Sequence, residues 1–105
     1  MKKKTNTAFS RHLANCKRRN IKNELTFDEF LTFNSSVCVY CGSPSNGIDR
    51  LLSDFSYSLS NCVPCCTLCN RMKSVSSPVS FLLHISKISL HDHTELHRKL
   101  YFLDI

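Results

Sequence analysis

Cys38-Val39-Tyr40-Cys41-Gly42 and Cys66-Thr67-Leu68-Cys69-Asn70-Arg71-Met72-Lys73 decide how this chain of 105 residues is read, with 24 residues between Cys41 and Cys66. Two Cys-x-x-Cys pairs at such a distance can give four thiolates to one tetrahedral zinc ion. Gly42 permits the positive φ that the tight turn of a zinc knuckle often needs. The second pair has a competitor, because Cys62-Val63-Pro64-Cys65 runs directly into it. Pro64 suits a strand end or a turn, whereas residues 67–73 can open a helix whose first turn carries both thiolates. The dipole of that helix favours thiolate over thiol. Cys38, Cys41, Cys66 and Cys69 are the expected ligands of a structural Zn2+, and Cys62 and Cys65 read as buried small apolar residues.

Composition agrees with a stapled single domain. A core of this size is only marginally stabilising, so a metal or disulfide staple is expected. The cysteines number seven, an odd count. The opening Met1-Lys-Lys-Lys-Thr5 leads into no apolar run of secretory-signal length. Reduced thiols binding metal in an intracellular, non-secreted protein is the expectation, with an organellar transit segment as the alternative. No stretch reaches the roughly 18 apolar residues of a membrane span. The net charge is +6, eight of the 14 Lys and Arg fall in the first 22 residues, and no acid precedes Glu24. Such a block favours a polyanion, with nucleic acid the default partner.

Residues 1–22 read as a basic arm and helix, with 1–7 disordered. Phe9, Leu13 and Cys16 follow at helical spacing over 8–19, among Arg11, Lys17, Arg18 and Arg19. His12 and Cys16 stand one helical turn apart, but no further ligand lies nearby, so Cys16 reads as packing. Residues 23–105 form the expected folded unit, with the motif at 38–74. Thr26-Phe27-Asp28-Glu29 has the form of a capping box opening a helix over 26–34, whose Phe27, Phe30, Leu31 and Phe33 need a surface to pack on. Asn46-Gly47-Ile48-Asp49-Arg50-Leu51 reads as a strand. Phe55-Ser-Tyr57-Ser-Leu59-Ser60 alternates like its hairpin partner. Ser77-Pro78 starts a helix carrying Phe81, Leu82, Ile85 and Ile88, and a last helix from Thr94 carries Leu96, Leu100 and Leu103. His84, His91, His93 and His97 read as surface histidines.

Strand, strand and helix closed by zinc make a small α+β unit, and here the chain resembles the HNH (ββα-metal, treble-clef) endonucleases. The matching pieces are CVYCG, GIDR, SNCVPCCTLCN and RMK, and the lead-in IKNELTFDEF. The resemblance implies a catalytic divalent ion, Mg2+ or Mn2+, at Asp49 and Asn70, and an orienting role for Asn61. Junction-resolving phage members of the family also use an Asn at the position of Asn70. The His that activates water in the family is replaced by Arg50, whose guanidinium stays protonated and cannot act as a base. Tyr57 is the candidate replacement, and a few HNH restriction enzymes combine an Arg and a Tyr in this way. Arg50 would then stabilise charge on the phosphate oxygens while Tyr57 activates water or attacks directly.

The expected catalytic set is thus Asp49, Arg50, Tyr57, Asn61 and Asn70. The expected phosphate contacts are Lys17, Arg18, Arg19, Arg71 and Lys73. The reading implies a metal-dependent DNA endonuclease, with an RNA-directed role as a third alternative, since phosphate contacts alone do not distinguish DNA from RNA. So small an enzyme carries one active site, and cutting both strands requires a homodimer or two sequential nicks. The competing expectation is a zinc-stabilised nucleic-acid-binding module that has lost catalysis with its His.

Overall fold

The structure is a computed structural model and describes residues 2–103, with side chains from residue 7 onward. Among these, five α-helices accompany a two-stranded sheet: α1 (Lys2–Arg18), α2 (Phe27–Asn34), β1 (Gly47–Arg50), β2 (Cys62–Cys65), α3 (Thr67–Lys73), α4 (Pro78–Leu90) and α5 (Thr94–Leu103). The fold is the expected small α+β unit, with β1, β2 and α3 around a four-cysteine group and helices on either side.

Local chemistry sets most boundaries. Asn20 ends α1 in the left-handed conformation (φ 56), which Asn tolerates better than most residues. The capping box of α2 forms as read: the Glu29 amide donates to Thr26 Oγ1 at 3.2 Å and the Thr26 amide to Glu29 Oε1 at 3.0 Å. Ser77 caps α4 through the Ser80 amide, and Pro78 takes the first turn. Gly42 has φ 80, as the knuckle turn requires.

The core is small and sits where α1 and α2 meet the sheet. Leu25, Phe30, Ile48 and Cys62 are its buried members, with Ala8, Phe9, Phe33 and Tyr57 packed around them. Three expectations need correction. Helix α1 starts at Lys2, so residues 2–7 are helical rather than a disordered arm (Met1 lies outside the described residues). No Gly or Pro precedes Gly42, so nothing in the chain interrupts the helix. Leu13 is exposed, and the inward face of α1 is Phe9, His12 and Cys16, with the His12 ring against Phe30 and Tyr57.

The third correction concerns the sheet. β1 pairs antiparallel with Cys62–Cys65, in the register Gly47 to Cys65 and Arg50 to Cys62, not with residues 55–60. In a two-stranded sheet both strands are edges, so Pro64 opposite Ile48 is tolerated there. Residues 51–60 form a loop instead, because polar side chains at its base take its carbonyls. Arg50 Nη1 donates to Ser53 O and Phe55 O, both at 2.7 Å. Asn61 Nδ2 donates to Leu52 O at 3.1 Å and Ser56 O at 2.9 Å.

Candidate metal cage and active-site cleft

The sulfurs of Cys38, Cys41, Cys66 and Cys69 all lie within 4.8 Å of one another. Cys41 Sγ and Cys66 Sγ are 3.7 Å apart. A tetrahedron with metal–sulfur bonds of about 2.3 Å has edges of about 3.8 Å, so the spacing suits a tetrahedral ion. The knuckle is closed by the Gly42 amide on Cys38 O (2.9 Å) and tied to β2 by the Val39 amide on Pro64 O (2.9 Å). Cys66 is the N-cap of α3, and its sulfur accepts from the Cys69 amide at 3.4 Å. Asn46 Oδ1 adds a second cap, accepting from the Thr67 amide and hydroxyl at 2.9 Å each.

Burial opposes ionisation of Cys38, but hydrogen bonds to the backbone of Cys66, Cys41 and Tyr40 prevail and bring the thiol down to about 6. Ser43 lowers Cys41 through its hydroxyl and backbone. Two thiols of the cage are therefore held toward the ligating form, while burial and the neighbouring cage thiols push Cys69 the other way. Cys62 and Cys65 behave as the reading of small buried thiols requires. Burial pushes them up, to about 11 and about 12. Cys16 is likewise buried and raised by its burial, with its sulfur 3.6 Å from His12 Nε2.

Beside the cage, a cleft of about 190 Å³ is lined by Arg19, Ile48, Asp49, Arg50, Ser53, Tyr57, Asn70, Ser74 and Val75. It brings together four of the five expected catalytic residues. Tyr57 reaches it from the loop, not from a strand. Its backbone is pinned to the segment before α2, with its amide on Lys22 O at 3.0 Å and its carbonyl accepting from the Glu24 amide at 2.7 Å. The Arg50 guanidinium lies over the Tyr57 ring, 5.1 Å from its centre. Among the described residues, no hydrogen bond engages the Tyr57 hydroxyl.

Asn61, the fifth, is buried behind the cleft and does not line it. Its side chain receives the Leu52 amide at 3.0 Å and gives both its N–H groups to the loop. It holds the loop that carries Tyr57.

Asp49 is 4 % exposed. Its Oδ1 faces Lys73 Nζ at 3.1 Å, and its Oδ2 accepts from the Tyr40 hydroxyl at 2.6 Å. Burial and the Asp49 carboxylate push the Tyr40 phenol well up, so it remains a donor. Lys73 is only 1 % exposed, which corrects its assignment as a phosphate contact: its ammonium neutralises Asp49 inside the protein. The remaining expected basic contacts, Lys17, Arg18, Arg19 and Arg71, are all exposed. Arg18 Nη2 donates to Asn15 Oδ1 at 3.0 Å. Arg71 lines a second groove with Asn46, Gly47, Cys65, Thr67 and Asn70.

Two residues were missed as parts of this region. Arg19 was read as a backbone contact on a basic helix, yet it lines the cleft itself. His12 packs edge-on to Tyr57, ring centres 4.6 Å apart, and bonds Asn23 Oδ1 at 3.0 Å. Its place three residues after Phe9 and four before Cys16 was the available signal.

No family model matches the chain. It is similar to the rare-cutting HNH restriction endonuclease PacI, with a TM-score of 0.65 and 25% sequence identity, over 82% of this chain and 77% of that one. The fold is thus nuclease-like, similar to that of an HNH endonuclease, and it carries a group of four cysteines able to hold a metal ion. The chain is also 38% identical over 63 residues to uncharacterized protein R423 of Acanthamoeba polyphaga mimivirus, which covers 56% of this chain. It spans only 12% of the length of that relative. Among the described residues no helix is long and apolar enough to cross a membrane.

Proposed function

We propose that this protein is a metal-dependent DNA endonuclease in which Arg50 and Tyr57 take the place of the usual His base. The observation that carries the reading is the single cleft that gathers Asp49, Arg50, Tyr57 and Asn70 from segments 21 residues apart and adds Arg19. The similarity to a DNA-cutting HNH enzyme over most of both chains supports DNA as the substrate.

Zn2+ is the ion proposed for Cys38, Cys41, Cys66 and Cys69, since four thiolates and no open position make a closed structural site. For the catalytic ion, Asp49 and Asn70 offer a carboxylate and an amide oxygen, hard donors that suit Mg2+ or Mn2+. Each Asp49 oxygen has one partner and keeps a lone pair, so the donor types fit, and an ion held there would share the carboxylate with the Lys73 ammonium. When bound, that ion would supply a Lewis acid at the scissile phosphate.

The side chains have separable duties. Arg50 spends the hydrogens of one guanidinium nitrogen on Ser53 O and Phe55 O, leaving the other nitrogens for phosphate oxygens. Arg19 adds a second guanidinium to the same cleft. As its phenolate, beside these two cations, the Tyr57 oxygen takes a proton from the attacking water, whose oxygen bonds to phosphorus as the scissile P–O bond breaks and the DNA oxygen leaves. In direct attack the phenolate forms that bond itself, the DNA oxygen leaves, and water then releases the phosphate from Tyr57. Asn61 orients the loop. Lys17, Arg18 and Arg71 contact the DNA backbone outside the cleft. One cleft per chain means that cutting a duplex on both strands takes two copies or two successive nicks.

Incubating supercoiled plasmid with the protein and Mg2+ or Mn2+ tests the reading. The expected result is nicked or linear product with wild type and at least a 100-fold slower rate for Tyr57→Phe. Full activity in both Tyr57→Phe and Asp49→Ala would sink the mechanism. Binding without cleavage under either ion would make the chain a nucleic-acid-binding module instead.

A further inference from the structure

The two C-terminal helices are apolar on faces that none of the described residues covers. Leu83 is 67 % exposed, Leu90 87 %, Tyr101 82 % and Phe102 80 %. Only Phe81 of α4 is buried, where it meets the Tyr40 ring edge-on at 5.4 Å. Neither α4 nor α5 is among the elements that pack closely on one another. Helices of 13 and 10 residues are marginal in water without such packing.

The whole molecule carries the same mark. Its surface is 8045 Å², about 2,000 Å² more than a compact chain of its mass exposes. Its radius of gyration is 16.9 Å, against about 13 Å for a compact domain of this length. Two copies together carry about 4,000 Å² of this excess, within the roughly 2,000–5,000 Å² that obligate homodimers bury in total.

We propose that α4 and α5 form a homodimer interface, pairing with α4 and α5 of a second copy about a two-fold axis. Charge argues for a like partner over a polyanion or an acidic one. Residues 78–103 carry three Lys or Arg and two Asp or Glu, nearly neutral in a chain of net charge +6. Eight basic residues lie at the other end of the sequence, so two copies can approach through this face without strong repulsion. The pairing is isologous, which places Leu83 and Phe102 of each protomer in the shared apolar core.

Sedimentation equilibrium of the zinc-loaded 105-residue chain tests this without reference to cleavage, so its outcome is separate from that of the nuclease reading. The wild type should be a dimer at micromolar concentration. Leu83→Glu with Phe102→Glu should weaken association at least about 100-fold while zinc content and tyrosine fluorescence of the body are kept. Mixing a Leu83→Glu protein with a Leu83→Lys protein should restore a heterodimer. A wild-type monomer at 100-fold higher concentration, or a dimer indifferent to both charge substitutions, overturns the proposal.

Discussion

Asp49 and Lys73 neutralise each other out of water, so removing either leaves a buried charge without its partner. Asp49→Ala is expected to lower stability by about 3–5 kcal/mol, and adding Lys73→Met to it should restore most of the loss. Urea unfolding of the two single variants and the double variant measures this; additive losses would show that the pair does not act as one unit. The same packing makes lost cleavage in Asp49→Ala ambiguous, because the cleft itself is weakened. Tyr57→Phe is the cleaner chemical probe, for it removes a hydroxyl without a hydrogen bond among the described residues and keeps the ring under Arg50. Its unfolding midpoint should match wild type while cleavage falls. At this scale the cage was legible, because ligand spacing is written into the sequence and chemistry allows few alternatives. The burial of Lys73 was not: in a basic run at a helix end, sequence gives no sign of which cation turns inward.

Loop 51–60 decides the active-site geometry among the elements, and two side chains, Asn61 and Arg50, support it. Asn61 makes three hydrogen bonds to Leu52 and Ser56, and Arg50 makes two more to Ser53 and Phe55. Asn61→Ala should cost about 1–3 kcal/mol through the unsatisfied loop groups. It should also slow cleavage, although Asn61 does not line the cleft. Amide exchange in residues 52–57 checks the cause: faster exchange confined to this loop is expected, and unchanged exchange would remove the positioning role. The alternating pattern of residues 55–60 suggested a strand because alternation records only which side chains are apolar. Two side chains outside the segment, Arg50 and Asn61, claimed its carbonyls and bent it. The caps were legible for the opposite reason. Thr26 with Glu29 and Ser77 with Pro78 act within one helical turn, so their partners are adjacent in sequence, and Thr26→Ala should cost about 1 kcal/mol by thermal unfolding.

For the molecule as a whole, the two proposed metals separate stability from chemistry. The core of Leu25, Phe30, Ile48 and Cys62 is small, and the cage joins the knuckle, the end of β2 and the start of α3. Helix α3 in turn carries Asn70 and Lys73, so the cleft depends on the cage although no cage sulfur lines it. Withdrawing only the exchangeable ion, by dialysis into buffer free of Mg2+ and Mn2+, should abolish cleavage and leave the far-ultraviolet circular dichroism unchanged. Stripping the cage with a thiol-competing zinc chelator should remove helical signal, weaken DNA binding and abolish cleavage together. Mg2+ alone should not reverse that loss, whereas Zn2+ followed by Mg2+ should. If helical signal and DNA binding survived complete removal of zinc, the hydrophobic core would suffice for folding, and the cage would no longer explain how β1, the loop and α3 are held around one cleft.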